Sequence, residues 1–316
     1  MTTNRTPTPK RFTTPTKATN NILAKKLKII LGPTAVGKSD YAIAEAKRLD
    51  TVVVSCDSRQ IFKELNIGVA SPTPAQLGEV KHYFVASHSV TDYYTAGRYE
   101  LEALDLLDSL FKTHDTVVMA GGSGLYIDAL CSGLDDFPAA GEAIRRELME
   151  RLDQEGLETL ARELEAIDPE SYAAVDTANW RRVVRALEVT IATGRKFSSY
   201  KSRPSRQRPF EIEKVGLFRS RDELYDRINR RVDLMMEEGL EREAREVLLF
   251  RDLPALKTVG YKELFGQFDG LYDLQEAVRF IKRNTRHYAK RQMTWWRRDN
   301  TINWINLSGS GSVSEF

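Results

Sequence analysis

Gly32-Pro33-Thr34-Ala35-Val36-Gly37-Lys38-Ser39 decides the fold. The octapeptide follows the short apolar run Leu27–Leu31 and precedes Asp40–Leu49, where apolar residues recur at helical spacing. The pattern G-x-x-x-x-G-K-[ST] between a strand and a helix is the context in which such a loop cradles phosphate. Its glycines let backbone N–H groups turn toward phosphate oxygens, and the helix N-terminus adds its dipole. Lys38 supplies a point charge, and the Ser39 hydroxyl is placed to ligate Mg²⁺. The loop therefore predicts a polyphosphate or diphosphate substrate held for group transfer.

Outward from the loop, β-branched and apolar runs predict strands at Thr51–Cys56, near His82–Ala86, at Thr116–Ala120 and at Glu213–Phe218. Between them lie helical patterns: Tyr99–Phe111, with Leu101, Leu104, Leu107 and Leu110 as its apolar face, and a helix starting near Leu125. Strands alternating with helices predict a parallel sheet covered on both faces. The fold class is α/β, a P-loop NTPase-like parallel-sheet core. From Glu142 to Thr193 every segment reads as helix, and Lys196–Pro209, rich in bases, reads as an exposed loop. This predicts an all-helical insertion at 141–208 within a core formed by 25–140 and 209–306. Helices return after Phe218 and run to Trp296. On the last of them Val278, Ile281, Tyr288, Met293 and Trp296 mark a core face, and Arg279, Arg283, Arg286, Lys290 and Arg297 a basic one.

Composition narrows the class. With 316 residues, 41% hydrophobic and 29% charged, the chain is an ordinary globular protein. No apolar run approaches the ~18 residues of a membrane helix, so no membrane contact is expected. Cys56 and Cys131 lie far apart without CxxC spacing, which excludes a cysteine-rich metal site and points to a reducing cytoplasm. The first twenty residues hold eight Thr, three Pro and four bases, so 1–24 is expected to be a disordered tail. Its prolines argue against the amphipathic helix of a targeting peptide. The Gly/Ser-rich end, 307–316, is expected to be flexible. A monomer is the expected assembly.

The net charge of +2 hides a strong asymmetry. Nine Lys/Arg stand against the single acid Glu188 between Trp180 and Arg208, and eight Lys/Arg against none between Arg279 and Arg298. Two such segments predict a polyanionic partner larger than a nucleotide.

Ligands in open parallel sheets sit at the carboxyl ends of the strands. There Thr51–Cys56 runs into Asp57-Ser58-Arg59-Gln60, and Thr116–Ala120 into Gly121-Gly122-Ser123-Gly124-Leu125-Tyr126. Asp57 reads as a general base, a group near a metal, or a turn acid. Ser123 reads as a functional hydroxyl or an N-cap. Val117–Ala120 leads into Gly121 and not into the acidic pair with which ATPases hold Mg²⁺ and polarise water. That favours a transferase. A small-molecule kinase would need neither basic segment, and a nucleic-acid binder with a dead loop would not need Lys38, Ser39 and Asp57 intact.

Taken in order, these elements resemble one family, the tRNA dimethylallyltransferases or tRNA isopentenyltransferases. The matching stretches are 32–39, Asp-Ser-Arg-Gln-Ile-Phe at 57–62, Ile67-Gly68, Gly-Gly-Ser-Gly-Leu-Tyr at 121–126 and Arg-Arg-Val-Val-Arg-Ala-Leu-Glu at 181–188. Val-Gly-Tyr-Lys-Glu at 259–263 and Lys-Arg-Gln-Met-Thr-Trp-Trp-Arg at 290–297 complete the set. The resemblance implies transfer of a dimethylallyl group from dimethylallyl diphosphate, with Mg²⁺, to the exocyclic amine of the adenosine 3′ of the anticodon. It implies Asp57 as general base and Ser123 as the catalytic hydroxyl. It implies tRNA contacts from Asp57, Ser58, Arg59, Gln60, Ser123 and Arg145, and from Arg181, Arg182, Val183, Val184 and Arg185. Further contacts are implied for Lys257, Thr258, Val259, Gly260, Tyr261 and Lys262, and for Lys290, Arg291, Gln292, Met293, Thr294, Trp295, Trp296 and Arg297. Arg227 and Arg231 lie in a segment like the one that reaches the diphosphate, and the sequence leaves the choice between them open. Two positions depart from the family pattern: Ser123 stands where Thr is usual, and Val69-Ala70-Ser71-Pro72 where Thr-Ala-Lys-Pro is usual.

Overall fold

In the computed structural model, which describes residues 25–134, 141–200 and 206–309, Lys26–Leu31 forms β1 at the centre of a six-stranded sheet. Its side chains alternate between two buried layers, as a pleated strand covered on both faces requires. Leu27, Ile29 and Leu31 enter one core, and Ile30 the other. The chain continues through α1 (Lys38–Arg48), β2 (Val53–Ser55), α2 (Pro74–Glu79), β3 (His82–Tyr83), α3 (Ala96–Leu110), β4 (Thr116–Gly121) and α4 (Gly124–Ser132). Four helices follow: α5 (Glu142–Glu155), α6 (Leu157–Ile167), α7 (Pro169–Ala174) and α8 (Trp180–Thr193). The chain then returns to the sheet as β5 (Glu211–Phe218) and continues through α9 (Arg221–Glu238), α10 (Leu240–Glu246), α11 (Tyr261–Phe268) and α12 (Leu274–Trp296) to β6 (Asn303–Asn306).

All pairings are parallel, in the order β3-β2-β4-β1-β5-β6. The register sets Leu31 against Gly121 on one side and Gly216 on the other, and Ser55 against Ala120. The segments leaving β1, β2, β4 and β5 consequently emerge side by side at one edge. One face of the sheet packs on α3 and α4, the other on α1, α9 and α12.

The structure moves several sequence expectations. The buried face of α3 is Ala96, Tyr99, Glu100, Ala103, Leu107 and Leu110, while Leu101 is 64% exposed. Leu107 and Leu110 are buried and Leu104 packs partly against the same core, so the leucine pattern fails only at Leu101, where Tyr99 and Glu100 take the inward positions. The strands expected at 51–56 and 82–86 shorten to β2 and β3, and the edge strand β6 was not anticipated. Leu307 and Ser308, expected in a flexible tail, are held: the Leu307 N–H donates to Phe218 O at 2.9 Å, and the Ser220 N–H to Ser308 Oγ at 3.0 Å. Residues 1–24 lie outside the described residues. No helix among the described residues is long and apolar enough to cross a membrane.

The four helices α5–α8 bury a cluster drawn from residues between Ile144 and Tyr200, with Leu148, Leu160, Leu164, Val183, Val184 and Leu187 at its centre. The chain connections to the sheet meet at Glu100 of α3. Arg208 donates to its Oε1 at 2.7 Å, and the Leu134 N–H to its Oε2 at 3.3 Å.

Candidate active site

The loop after β1 is fixed by both backbone and partners. Gly32 has φ +150°, and an added Cβ would lie 2.5 Å from Leu217 O on β5, so the close strand packing admits no side chain. Gly37, at φ +109°, is the N-cap of α1 and offers no capping side chain. The first N–H groups of α1 are left for an anion. The loop's carbonyls are held from outside: Arg227 Nε donates to Ala35 O at 2.8 Å and Arg219 Nε to Val36 O at 2.9 Å. Lys38 Nζ closes on Gly32 O and Pro33 O, each at 2.9 Å. Burial pushes the Lys38 ammonium down to about 8, with Asp57 opposing that shift and Arg231 adding to it. Arg219 was missed by the sequence reading. Its one signal was position, directly after the carboxyl end of β5.

Beside this loop, the turn after β2 carries Asp57. Its Oδ1 accepts the N–H groups of Arg59 at 2.8 Å and Gln60 at 3.3 Å, so one carboxylate oxygen shapes the turn. Among the described residues its Oδ2 has no hydrogen-bond partner. Ser123 is the N-cap residue of α4, yet its hydroxyl does not cap that helix. Ser123 Oγ accepts the Ser58 N–H at 2.9 Å, tying the turn after β4 to the turn after β2. Gly121 permits that approach, since an added Cβ would meet the Cys56 backbone at 2.5 Å. Gln60 Nε2 donates to Val69 O at 3.2 Å and Ala70 O at 2.8 Å and so holds the departing segment 69–72 over the site.

Two pockets open here. One, of about 270 Å³, is lined by Thr34, Gly37, Lys38, Ser39, Asp40 and Arg227, among others. The other, of about 440 Å³, is lined by Ser58, Arg59, Gly68, Lys257, Lys262 and Arg291, among others. Thr34, Asp57, Val69, Ala70, Arg231 and Tyr288 belong to both. A phosphate-binding basin and a basic basin thus share a wall, and Asp57 is in that wall. Tyr288, expected on the core face of α12, stands there too. Its hydroxyl is pushed upward by burial and by the Asp57 charge, so it remains a neutral donor. Burial and the neighbouring Arg227 hold the Arg231 guanidinium below its ordinary value.

The family profile described as IPP transferase matches residues 60–299. The chain is 49% identical over 288 residues to tRNA dimethylallyltransferase 1 of Phocaeicola vulgatus, covering 91% of this chain and 96% of that protein. It is 52% identical over 280 residues to tRNA dimethylallyltransferase 1 of Porphyromonas gingivalis, covering 89% and 93%. The chain belongs to the IPP transferase family. The crystal structure of the full-length tRNA isopentenylpyrophosphate transferase from Bacillus halodurans superposes with a TM-score of 0.67 at 36% identity, over 92% of this chain and 93% of that one. A eukaryotic dimethylallyltransferase acting on tRNA shares the fold, with a TM-score of 0.76 at 22% identity over 90% and 74%.

The residues that the family likeness marked for tRNA divide into distinct environments. Lys257, Thr258, Val259, Gly260 and Lys262 line the basic basin. Lys290, Arg291, Thr294 and Trp295 form a shallow exposed surface with His287 and Arg298, and Trp295 Nε1 donates to Asp128 at 3.0 Å. Arg297 is exposed as well. On α8, Arg181 and Arg182 are exposed, while Arg185 and the exposed Arg145 of α5 both meet the buried Glu188, at 3.3 and 2.9 Å. Six of the marked side chains are enclosed instead. Val183 and Val184 lie in the core of the helical unit, Met293 and Trp296 enter the cores on opposite faces of the sheet, and Tyr261 is fully buried with its hydroxyl on Glu243 at 2.6 Å. These apolar positions carry their helices and turns; their charged neighbours face outward. Gln292 is likewise enclosed, against the phosphate loop.

Ser39 and Asp40 at the mouth of the first pocket offer the hard oxygen donors that Mg²⁺ takes. Among the described residues no group of three or more His, Cys, Asp or Glu is placed to cage a metal. The donor set fits a cation held largely by diphosphate oxygens and water.

Proposed function

We propose that the enzyme transfers the dimethylallyl group of dimethylallyl diphosphate to the exocyclic amine of the adenosine 3′-adjacent to the anticodon of tRNA. The observation that carries this reading is the shared wall: Asp57 lies between a diphosphate-sized basin and a basic basin open to RNA. The diphosphate sits on the loop, where Lys38, Arg231 and the N–H groups at the start of α1 stabilise charge growing on the leaving group. Mg²⁺ held at Ser39 would supply further neutralisation of that charge.

The adenine amine is a weak nucleophile because its lone pair is delocalised into the ring. The allylic carbon compensates by gaining cationic character as its bond to the diphosphate oxygen lengthens. The new C–N bond forms as the C–O bond breaks, diphosphate departs, and Asp57 takes the proton from the amine. Asp57 Oδ1 is committed to the turn, so Oδ2 is the accepting oxygen. Ser123 places Asp57 indirectly, through Ser58. The target base must leave the anticodon loop to reach this wall, and the segment 69–72 together with Tyr288 screens the allyl group from water. The exposed bases of α8 and α12 supply phosphate contacts for the tRNA.

The test uses undermodified tRNA with Mg²⁺ and either dimethylallyl diphosphate or ATP. Mass analysis of digested nucleosides is expected to show one added dimethylallyl group with the diphosphate donor alone. Product only with ATP, or with neither donor, would overturn the reading.

A further inference from the structure

Gln292 lies in the α12 segment that the family likeness assigns to tRNA, yet its side chain faces inward and is only 6% exposed. Its Oε1 accepts the N–H of Thr34 in the phosphate loop at 2.9 Å, and its Nε2 donates to Gly122 O, after β4, at 2.8 Å. The amide therefore acts as a strap across the mouths of β1 and β4, from the helix whose next-door residues Lys290, Arg291 and Thr294 are exposed. Gly122 is shaped to admit it, because an added Cβ would sit 2.4 Å from Gln292 Nε2. Both hydrogen bonds are made within the protein, so a tRNA contact is not what the side chain is arranged for.

We propose that Gln292 is a positioning residue for the donor, fastening the Thr34 turn of the diphosphate loop and the Gly122 turn to the tRNA-facing helix α12. The inference rests on the transferase reading and deepens it. A loop held in its binding shape needs no ordering when the diphosphate arrives, and affinity gains what that ordering would have cost. The strap also joins the element that meets the RNA to the element that holds the leaving group. The donor and acceptor sides then keep their relative placement through the single helix α12.

Gln292→Met keeps the length and removes both hydrogen bonds. Each such bond is worth about a fivefold change in an equilibrium constant, and the two factors multiply, so inorganic diphosphate with Mg²⁺ is expected to bind roughly 25-fold more weakly by calorimetry without tRNA. The donor KM should rise by a similar factor, with kcat at saturating donor within about threefold and the tRNA Kd within about twofold. Gly122→Ala displaces the same amide and should reproduce this pattern. The double variant should then be no weaker than the worse single one, since both remove one interaction. The proposal is overturned if diphosphate affinity is unchanged or improved, if tRNA affinity falls in its place, or if the two substitutions multiply. Should Gln292→Met fail to fold, Gln292→Glu decides. Its carboxylate still accepts from Thr34 but opposes Gly122 O, and unaltered diphosphate affinity would then sink the idea. Diphosphate binding is read without transfer. A wild-type enzyme that binds diphosphate but modifies no tRNA therefore refutes the transferase reading and leaves the strap separately measurable.

Discussion

Asp57 is given two tasks by the structure, and Asp57→Asn separates them. Asp57 Oδ1 accepts the N–H groups of Arg59 and Gln60 at 2.8 and 3.3 Å. The asparagine carbonyl oxygen can accept both of these bonds, whereas its amide group cannot take up a proton at neutral pH. The turn should therefore persist, with stability within about 1 kcal/mol of wild type. The rate should fall by on the order of 10²–10⁴, the usual contribution of a general base. Asp57→Ala removes the turn bonds as well. Because the turn is partly exposed and water can replace them, the added loss of stability should be about 1–3 kcal/mol. The assay is single-turnover transfer to pre-bound tRNA, alongside urea denaturation and tRNA binding for both variants. An Asn variant within about threefold of the wild-type rate would show that Asp57 only forms the turn. An Asn variant as unstable as the Ala variant would show that the hydrogen-bond assignment is wrong.

The Lys38 ammonium, pushed down to about 8 from an ordinary value of 10.5, makes donor binding sensitive to pH. The folded protein binds fewer protons than the unfolded chain between those values, so this group adds stability as pH rises across that window. Diphosphate needs the charged form, so its affinity should fall as pH climbs through about 8, with proton uptake visible by calorimetry in buffers of different ionisation enthalpy. Pure affinity loss without proton uptake would contradict the assignment. Gly68→Ala should destabilise the protein by about 1–3 kcal/mol by overpacking. The new Cβ would lie 2.7 Å from the Tyr261 ring, which Glu243 holds at 2.6 Å. Denaturation midpoints together with weaker tRNA binding at the adjacent basin would confirm it, and an unchanged midpoint would refute it. Lys290→Ala should weaken tRNA binding evenly across sequences and lower the slope of log K against log salt by about one unit. An unchanged slope would mean that Lys290 meets no phosphate.

The octapeptide 32–39 was legible because its geometry is local. Two glycines at positive φ and a lysine one residue past the second specify strand, loop and helix without any distant partner. The parallel sheet followed from alternating patterns, since strands buried on both faces must be apolar throughout. Asp57 and Ser123 were found because residues at the carboxyl ends of adjacent strands converge whatever the rest of the chain does. Beyond that reach the sequence was silent. The strand at Asn303–Asn306 is short and half-buried, with no periodicity of its own, and exists because β5 offers it an edge. Arg227 and Arg231 share a helix face in the sequence. Only packing shows that Arg227 holds the loop's Ala35 carbonyl while Arg231 stands in the wall between the two basins. Gln292 sits among basic residues and reads as one more polar contact for RNA. It is turned inward because α12 crosses the mouths of β1 and β4, where the Thr34 N–H and the Gly122 carbonyl require partners. The sequence by itself determined the cradle for the diphosphate and the acid beside it, because those depend on contacts a few residues apart. The tertiary structure decided which side chains hold that cradle in place, because their partners lie up to 258 residues away along the chain.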